Sequence, residues 1–143
     1  GMEDQFHYHG AVDRAGKIAF LRSLDVLSVP SPYAEPKGLF VLEAMACGVP
    51  VVQPRHGAYP ELIARTGSGI TVEPNDPASL ADGILTLWKD GELRQALSSR
   101  AYDGVRRHYT ARNMAERLVD VYTDVLARPR NRSLVSGHVG DGE

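Results

Sequence analysis

The spacing of apolar positions changes character along the chain. Phe6-His7-Tyr8-His9 reads as a short strand stopped by Gly10. From Arg14 to Leu24, the apolar Ile18, Leu21 and Leu24 recur every third residue, with Arg14, Lys17 and Arg22 as the polar remainder; that spacing predicts a short amphipathic helix. Val26-Leu27-Ser28-Val29 is a buried-type strand ended by Pro30, and a Ser/Pro/Gly-rich loop follows from Ser31 to Gly38. Leu39 to Cys47 predicts a helix with Gly48 in the left-handed position after it. Val49 to Gln53 predicts a strand, Tyr59 to Arg65 a helix and Ile70-Thr71-Val72 a further strand. Strands that alternate with helices over short connections indicate an α/β fold with a parallel sheet. Continuous apolar strands suit a sheet covered by helices on both faces, a three-layer arrangement.

Beyond Val72 the pattern turns all-α. Asn75-Asp76-Pro77 is a helix start, a capping side chain followed by proline in the first turn. Leu80, Ile84, Leu87 and Trp88 are expected to share the buried face of that helix. A second helix is expected over Glu92 to Tyr109. A third runs from Ala111 to Leu126, with Met114, Leu118, Val121 and Val125 as its core stripe. The division expected is one folded region over residues 2–127, with Gly1 set aside, and a polar, Gly-rich tail over 128–143 that a neighbouring chain could hold.

Composition narrows the function classes. A chain of 143 residues with 43% apolar and 24% charged residues is an ordinary globular domain in balance. Its net charge of −2 gives no general electrostatic reason to expect nucleic acid as a partner. No run approaches the ~18 apolar residues of a membrane span, and with no signal peptide visible a cytoplasmic location is expected. The single Cys47 excludes an internal disulfide and sits in an apolar run that predicts buried packing.

The chemistry concentrates where the loop meets the helix, in SPYAEPKGLFVLEAMACGVPVV, residues 31–52. Gly38 lets backbone approach a ligand closely, and the first helical amides behind it are unpaired, which makes a site for an anion such as phosphate. Lys37 adds positive charge. Glu43 lies four residues into the helix, where a carboxylate can accept from a ribose diol, and Glu35 precedes the glycine, where it can bind a sugar hydroxyl. The same residues also describe a capped helix with two solvated glutamates. Two carboxylates eight residues apart do not by themselves decide between the readings.

The two stretches SPYAEPKGLFVLEAMACGVPVV and HGAYPELI resemble the C-terminal half of the retaining glycosyltransferases of the GT-B fold, family four, also called glycosyl transferases group 1. That family carries E-G-F-G-L-x-x-x-E-A-M-A-x-G-x-P-V-V followed by G-G-x-P-E. Glu35, Gly38, Leu39, Glu43, Ala44, Met45, Ala46, Gly48, Pro50, Val51 and Val52 match the first motif, and Gly57, Pro60 and Glu61 the second. The resemblance extends from Phe6 to Tyr122. It implies a partial Rossmann-like donor-binding domain and transfer of a sugar from a nucleotide-sugar donor to an acceptor with retention. The residue matching Glu35, the catalytic candidate, contacts hydroxyls of the transferred sugar and orients rather than attacks. Backbone amides of Gly38, Leu39 and Phe40 hold the diphosphate, with Lys37 beside them. Glu43 takes the ribose, and Gly57 to Glu61 shape the pocket. In that chemistry the donor's own phosphate helps deprotonate the acceptor, and neither a metal nor another cofactor is implied.

Several positions depart from the family pattern. Pro36 stands for a glycine, Ala58 for the second glycine of G-G-x-P-E, and Lys37 for an aromatic, where it either pairs with phosphate or is simply solvated. His56 either reaches a phosphate or is a solvated loop residue. His7 and His9 have ligand-like spacing without a third ligand. An N-terminal lobe and the opening strands of the donor lobe, with the Arg and Lys that neutralise the diphosphate, are not found in these residues. The chain is therefore expected to be inactive alone. The absent strands leave Val26–Val29 with an open apolar edge, which predicts cover by the Phe6–His9 strand, by Leu134-Val135, or by self-association. The alternatives are a non-catalytic module that binds a nucleotide or a partner, and a structural remnant with no ligand.

Overall fold

The computed structural model describes residues 3–128, and the described chain divides into two units between Thr110 and Ala111. After a 3-10 turn at Glu3–Gln5, the first unit holds α1 (Arg14–Arg22), α2 (Leu39–Ala46), β1 (Val51–Pro54), α3 (Tyr59–Thr66), β2 (Gly69–Val72), α4 (Pro77–Lys89) and α5 (Gly91–His108). The second holds α6 (Ala111–Ala127).

β1 and β2 are parallel, with Val51 opposite Gly69 and Pro54 opposite Val72. On the other side of β1 the chain makes one parallel bridge, Leu27 with Val51, through Leu27 N to Pro50 O and Val52 N to Leu27 O, each 3.0 Å. The sheet faces alternate as the pleat requires. Val51 joins a core of Leu21, Val41, Ala44, Met45, Tyr59, Leu62, Ile63 and Ala101 from α1, α2, α3 and α5. Val52 and Val72 turn to the opposite face and pack with Leu87 of α4 and Leu97 of α5. This is a three-layer, partial Rossmann-like α/β domain: helices, a short parallel sheet, helices.

The helix starts follow their capping residues. Asp13 caps α1, its Oδ1 accepting from Gly16 N at 2.7 Å. Asp76 caps α4 through Ala78 N and Ser79 N, with Pro77 in the first turn, and Asp90 caps α5 through Leu93 N.

Some expectations fail, for identifiable reasons. Residues 6–9 form no strand: Phe6 and Tyr8 are exposed, and His9 lies against Phe20 of α1 with ring centroids 4.8 Å apart. A four-residue segment needs a ladder partner, and none runs beside it among the described residues. For the same reason Val26–Val29 is a single bridge rather than a strand. No described strand covers its far edge, and Leu134 and Val135 lie outside the described residues, as does the tail from 129 on. Trp88 is 74% exposed. The packed stripe of α4 is Leu80, Gly83 and Leu87, because Gly83 sits directly on the sheet. A Cβ there would lie 2.8 Å from Val72 Cγ1 and 2.9 Å from Val52 Cγ1. Reading only large residues as core had rotated the stripe onto Ile84 and Trp88. In α6, Met114, Leu118, Val121 and Val125 are all exposed, since the described part of that unit offers the helix no second element to bury against. Cys47 is half-buried, packed on the edge of the first core cluster.

Candidate functional site

The loop after Pro30 and the first turn of α2 form a backbone cradle. Gly38 is the N-cap of α2 with φ 64°, a left-handed conformation that costs any L side chain about 1–2 kcal/mol. Its O accepts from Val41 N and Leu42 N. The amides of Leu39 and Phe40, the next two residues, take no partner among the described residues and mark the positive end of the helix. The Glu35 carboxylate closes the turn in front of them: Oε1 accepts from Lys37 N at 3.1 Å and Gly38 N at 3.0 Å. The Gly38 and Lys37 amides hold the Glu35 carboxyl below its ordinary range, against the small opposing effect of burial. Lys37 is exposed beside it.

The second glycine-bearing stretch supports this loop from behind. Gly57 has φ +58°, and its α-carbon lies against the backbone of the glutamate: a Cβ would fall 2.4 Å from Glu35 O and 2.6 Å from Glu35 N. Ala58 N, one residue on, donates to Glu35 O at 2.8 Å. Tyr59, fully buried in the first turn of α3, places its hydroxyl 3.3 Å from Ser31 Oγ, and burial pushes its pKa up. His56 Nε2 donates to Ser31 O at 3.0 Å, and the ring packs near Tyr59. His56 is therefore not a solvated loop residue; it is half-buried and braces the loop. Its Nδ1 is buried with no partner among the described residues. Gln53, fully buried, accepts from Val29 N at 3.2 Å and so ties the loop's entry to β1.

The sequence candidates do not all converge. Glu35, Lys37, Gly38, Leu39 and Gly57 meet at the cradle, and Phe40 turns inward, its ring centroid 6.2 Å from that of Tyr59. Glu43 lies one turn further along α2, where Lys17 Nζ of α1 is 2.6 Å from its Oε1. Glu61 sits in the first turn of α3, but its carboxylate faces Arg65 at 3.4 Å and is 71% exposed. His7 and His9 lie with ring centroids 4.6 Å apart, and no group of three potential ligands forms among the described residues. Sequence reasoning passed over Ser31, Tyr59 and Lys17. For Lys17 the available signal was its place four residues before Leu21, on the face of α1 that packs toward α2.

No described helix is long and apolar enough to cross a membrane. A family model, "Glycosyl transferases group 1", matches residues 1–104. The chain is 32% identical over 130 residues to an N-acetyl-alpha-D-glucosaminyl L-malate synthase of Bacillus anthracis, covering 91% of this chain and 33% of that protein. It is 34% identical over 125 residues to a phosphatidyl-myo-inositol mannosyltransferase of Mycobacterium leprae (strain TN), covering 87% of this chain and 33% of that protein. Among solved structures, sucrose-phosphate synthase from Thermosynechococcus elongatus superposes with a TM-score of 0.76 at 27% identity, over 87% of this chain and 31% of that one. The chain thus spans about a third of the length of these relatives. The family model covers most of the chain, both motifs fall inside the matched residues, and they touch in space where Gly57 and Ala58 meet the Glu35 backbone; the chain belongs to the glycosyl transferases group 1 family of GT-B glycosyltransferases.

Proposed function

We propose that this chain is the nucleotide-sugar-binding lobe of a retaining glycosyltransferase, and that sugar transfer requires protein beyond the third of its relatives that it spans. The observation carrying this reading is the cradle at the start of α2. Two open amides, Leu39 N and Phe40 N, lie beside Lys37, with one ionised carboxylate at their front and another one turn along the helix.

In this reading the donor diphosphate lies over the N-terminus of α2. The helix dipole and the Lys37 charge there offset its negative charge without a metal. Glu35, ionised because two amides stabilise its anion, accepts from hydroxyls of the transferred sugar and stabilises charge rather than forming a bond. Glu43 accepts from the ribose hydroxyls. The leaving phosphate takes the acceptor proton, so no side chain of this chain acts as the base.

Calorimetric titration with UDP and with GDP tests the reading, on the wild type and on Glu43→Ala. Binding of one nucleotide that weakens roughly tenfold to a hundredfold in the variant is the expected result, the loss of one hydrogen bond to a charged group. No binding at millimolar nucleotide, or binding that ignores the substitution, overturns it. Binding with no sugar transfer after the rest of a GT-B enzyme is supplied would favour a nucleotide-binding module instead.

A further inference from the structure

From the contact between α1 and α2, we infer that Lys17 is a positioning residue of the donor site: it fixes the Glu43 carboxylate so that its second oxygen is presented to the ribose diol. The inference rests on the donor-lobe reading and adds to it a residue that neither of the two motifs contains.

Glu43 stands on an exposed turn of α2, where its side chain would sample several rotamers. Lys17 Nζ lies 2.6 Å from Glu43 Oε1, a charge-assisted contact between residues 26 apart in sequence. Lys17 is itself delivered by a rigid element. Asp13 caps α1 four residues earlier, and Leu21, on the same face four residues later, is buried in the core shared with α2. The groove between the helices, about 480 Å³, also takes Arg14, Arg22 and Arg106 into its walls. Of these cations, Lys17 alone pairs with Glu43 among the described residues. Arg106 instead reaches Ala46 O and lies over the Tyr102 ring.

As an exposed ion pair this contact adds little to folding, since both side chains are nearly half exposed. Its value lies in preorganisation. A carboxylate already oriented loses less side-chain freedom when the diol arrives. One oxygen committed to Lys17 leaves the other, on the same rigid turn, for the ligand.

The test is a four-way titration of the intact chain. UDP and GDP are each compared with their 2′,3′-dideoxy analogues, on wild type, Lys17→Met, Lys17→Arg, Glu43→Ala and the Lys17→Met/Glu43→Ala pair. Lys17→Met is expected to weaken the ribonucleotide by up to about fivefold, the upper end of what exposed pairs contribute. It should leave the dideoxy analogue unchanged and have no further effect once Glu43 is alanine. Lys17→Arg should restore most of the discrimination between the two sugars. An equal loss for both nucleotides overturns the proposal, because Lys17 would then touch base or phosphate directly. So does no loss, or a loss that persists in the Glu43→Ala background. The donor reading fails differently, through absent binding by the wild type or through indifference of the ribonucleotide to Glu43→Ala, and the proposal falls with it.

Discussion

Replacing Gly57 by alanine tests whether the two motifs act as one unit. The added Cβ would sit 2.4 Å from Glu35 O and 2.6 Å from Glu35 N. Both atoms are backbone, so no rotamer change relieves the overlap. The residue would also have to hold φ near +58°, at about 1–2 kcal/mol for an L side chain. If the loop moves away instead, the Ala58 N to Glu35 O bond is stretched or lost, a further ~1 kcal/mol. The sum is a loss of about 2–3 kcal/mol. At a slope of about 1.5 kcal/mol/M, that moves the urea midpoint down by roughly 1.5–2 M. Gly91→Ala is the matched control: Gly91 opens α5, nothing lies within 4 Å of its would-be Cβ, and its φ is not positive. That change should be neutral or stabilise by up to ~1 kcal/mol. Circular dichroism during urea titration reads both variants, and nucleotide titration of Gly57→Ala reads the cradle. If Gly57→Ala unfolds within about 0.5 kcal/mol of wild type and binds nucleotide as well, the claim that Gly57 seats Glu35 is wrong.

Acid should weaken the fold partly through Glu35. The Gly38 and Lys37 amides hold its folded pKa below that of an ordinary glutamate, so its contribution is present above the ordinary value and is lost as pH falls through the lower, folded one. In Glu35→Gln that part of the pH dependence should vanish between urea midpoints at neutral and acid pH; an unchanged acid limb would show that the amide bonds do not matter. Gly83→Ala should cost about 1–3 kcal/mol by overpacking against Val52 and Val72, and a neutral result in thermal melts would mean that α4 can lift off the sheet freely. The sole tryptophan, Trp88, 74% exposed, should emit as a solvated indole and be quenched by acrylamide in the folded chain. Trp88→Ala should alter stability by less than about 0.5 kcal/mol.

Much of the fold was legible because its signals are local. Asp76-Pro77 marks the start of α4, Gly38 the start of α2, and the apolar stretch ending in Val51-Val52 supplies the central strand. Two strands failed because a strand is a pairing, not a property of its own residues. Residues 6–9 and Val26–Val29 carry suitable side chains, but the described chain brings no ladder to the first and only one bridge to the second. Trp88 was misplaced because a glycine, which contributes no apolar pattern, is what lets α4 approach the sheet.

The site divides in the same way. Sequence by itself determined that a glycine-capped helix follows a carboxylate loop, since left-handed backbone and open amides depend on neighbours within a few residues. Tertiary structure decided the rest. Gly57 reaches Glu35 from 22 residues away, and Lys17 reaches Glu43 from 26, while Glu61, though inside a matching motif, turns to Arg65 on its own helix. Those choices depend on how α1, α2 and α3 pack over β1, and packing is set by the shapes of all the contacting side chains together, which no stretch of sequence states alone.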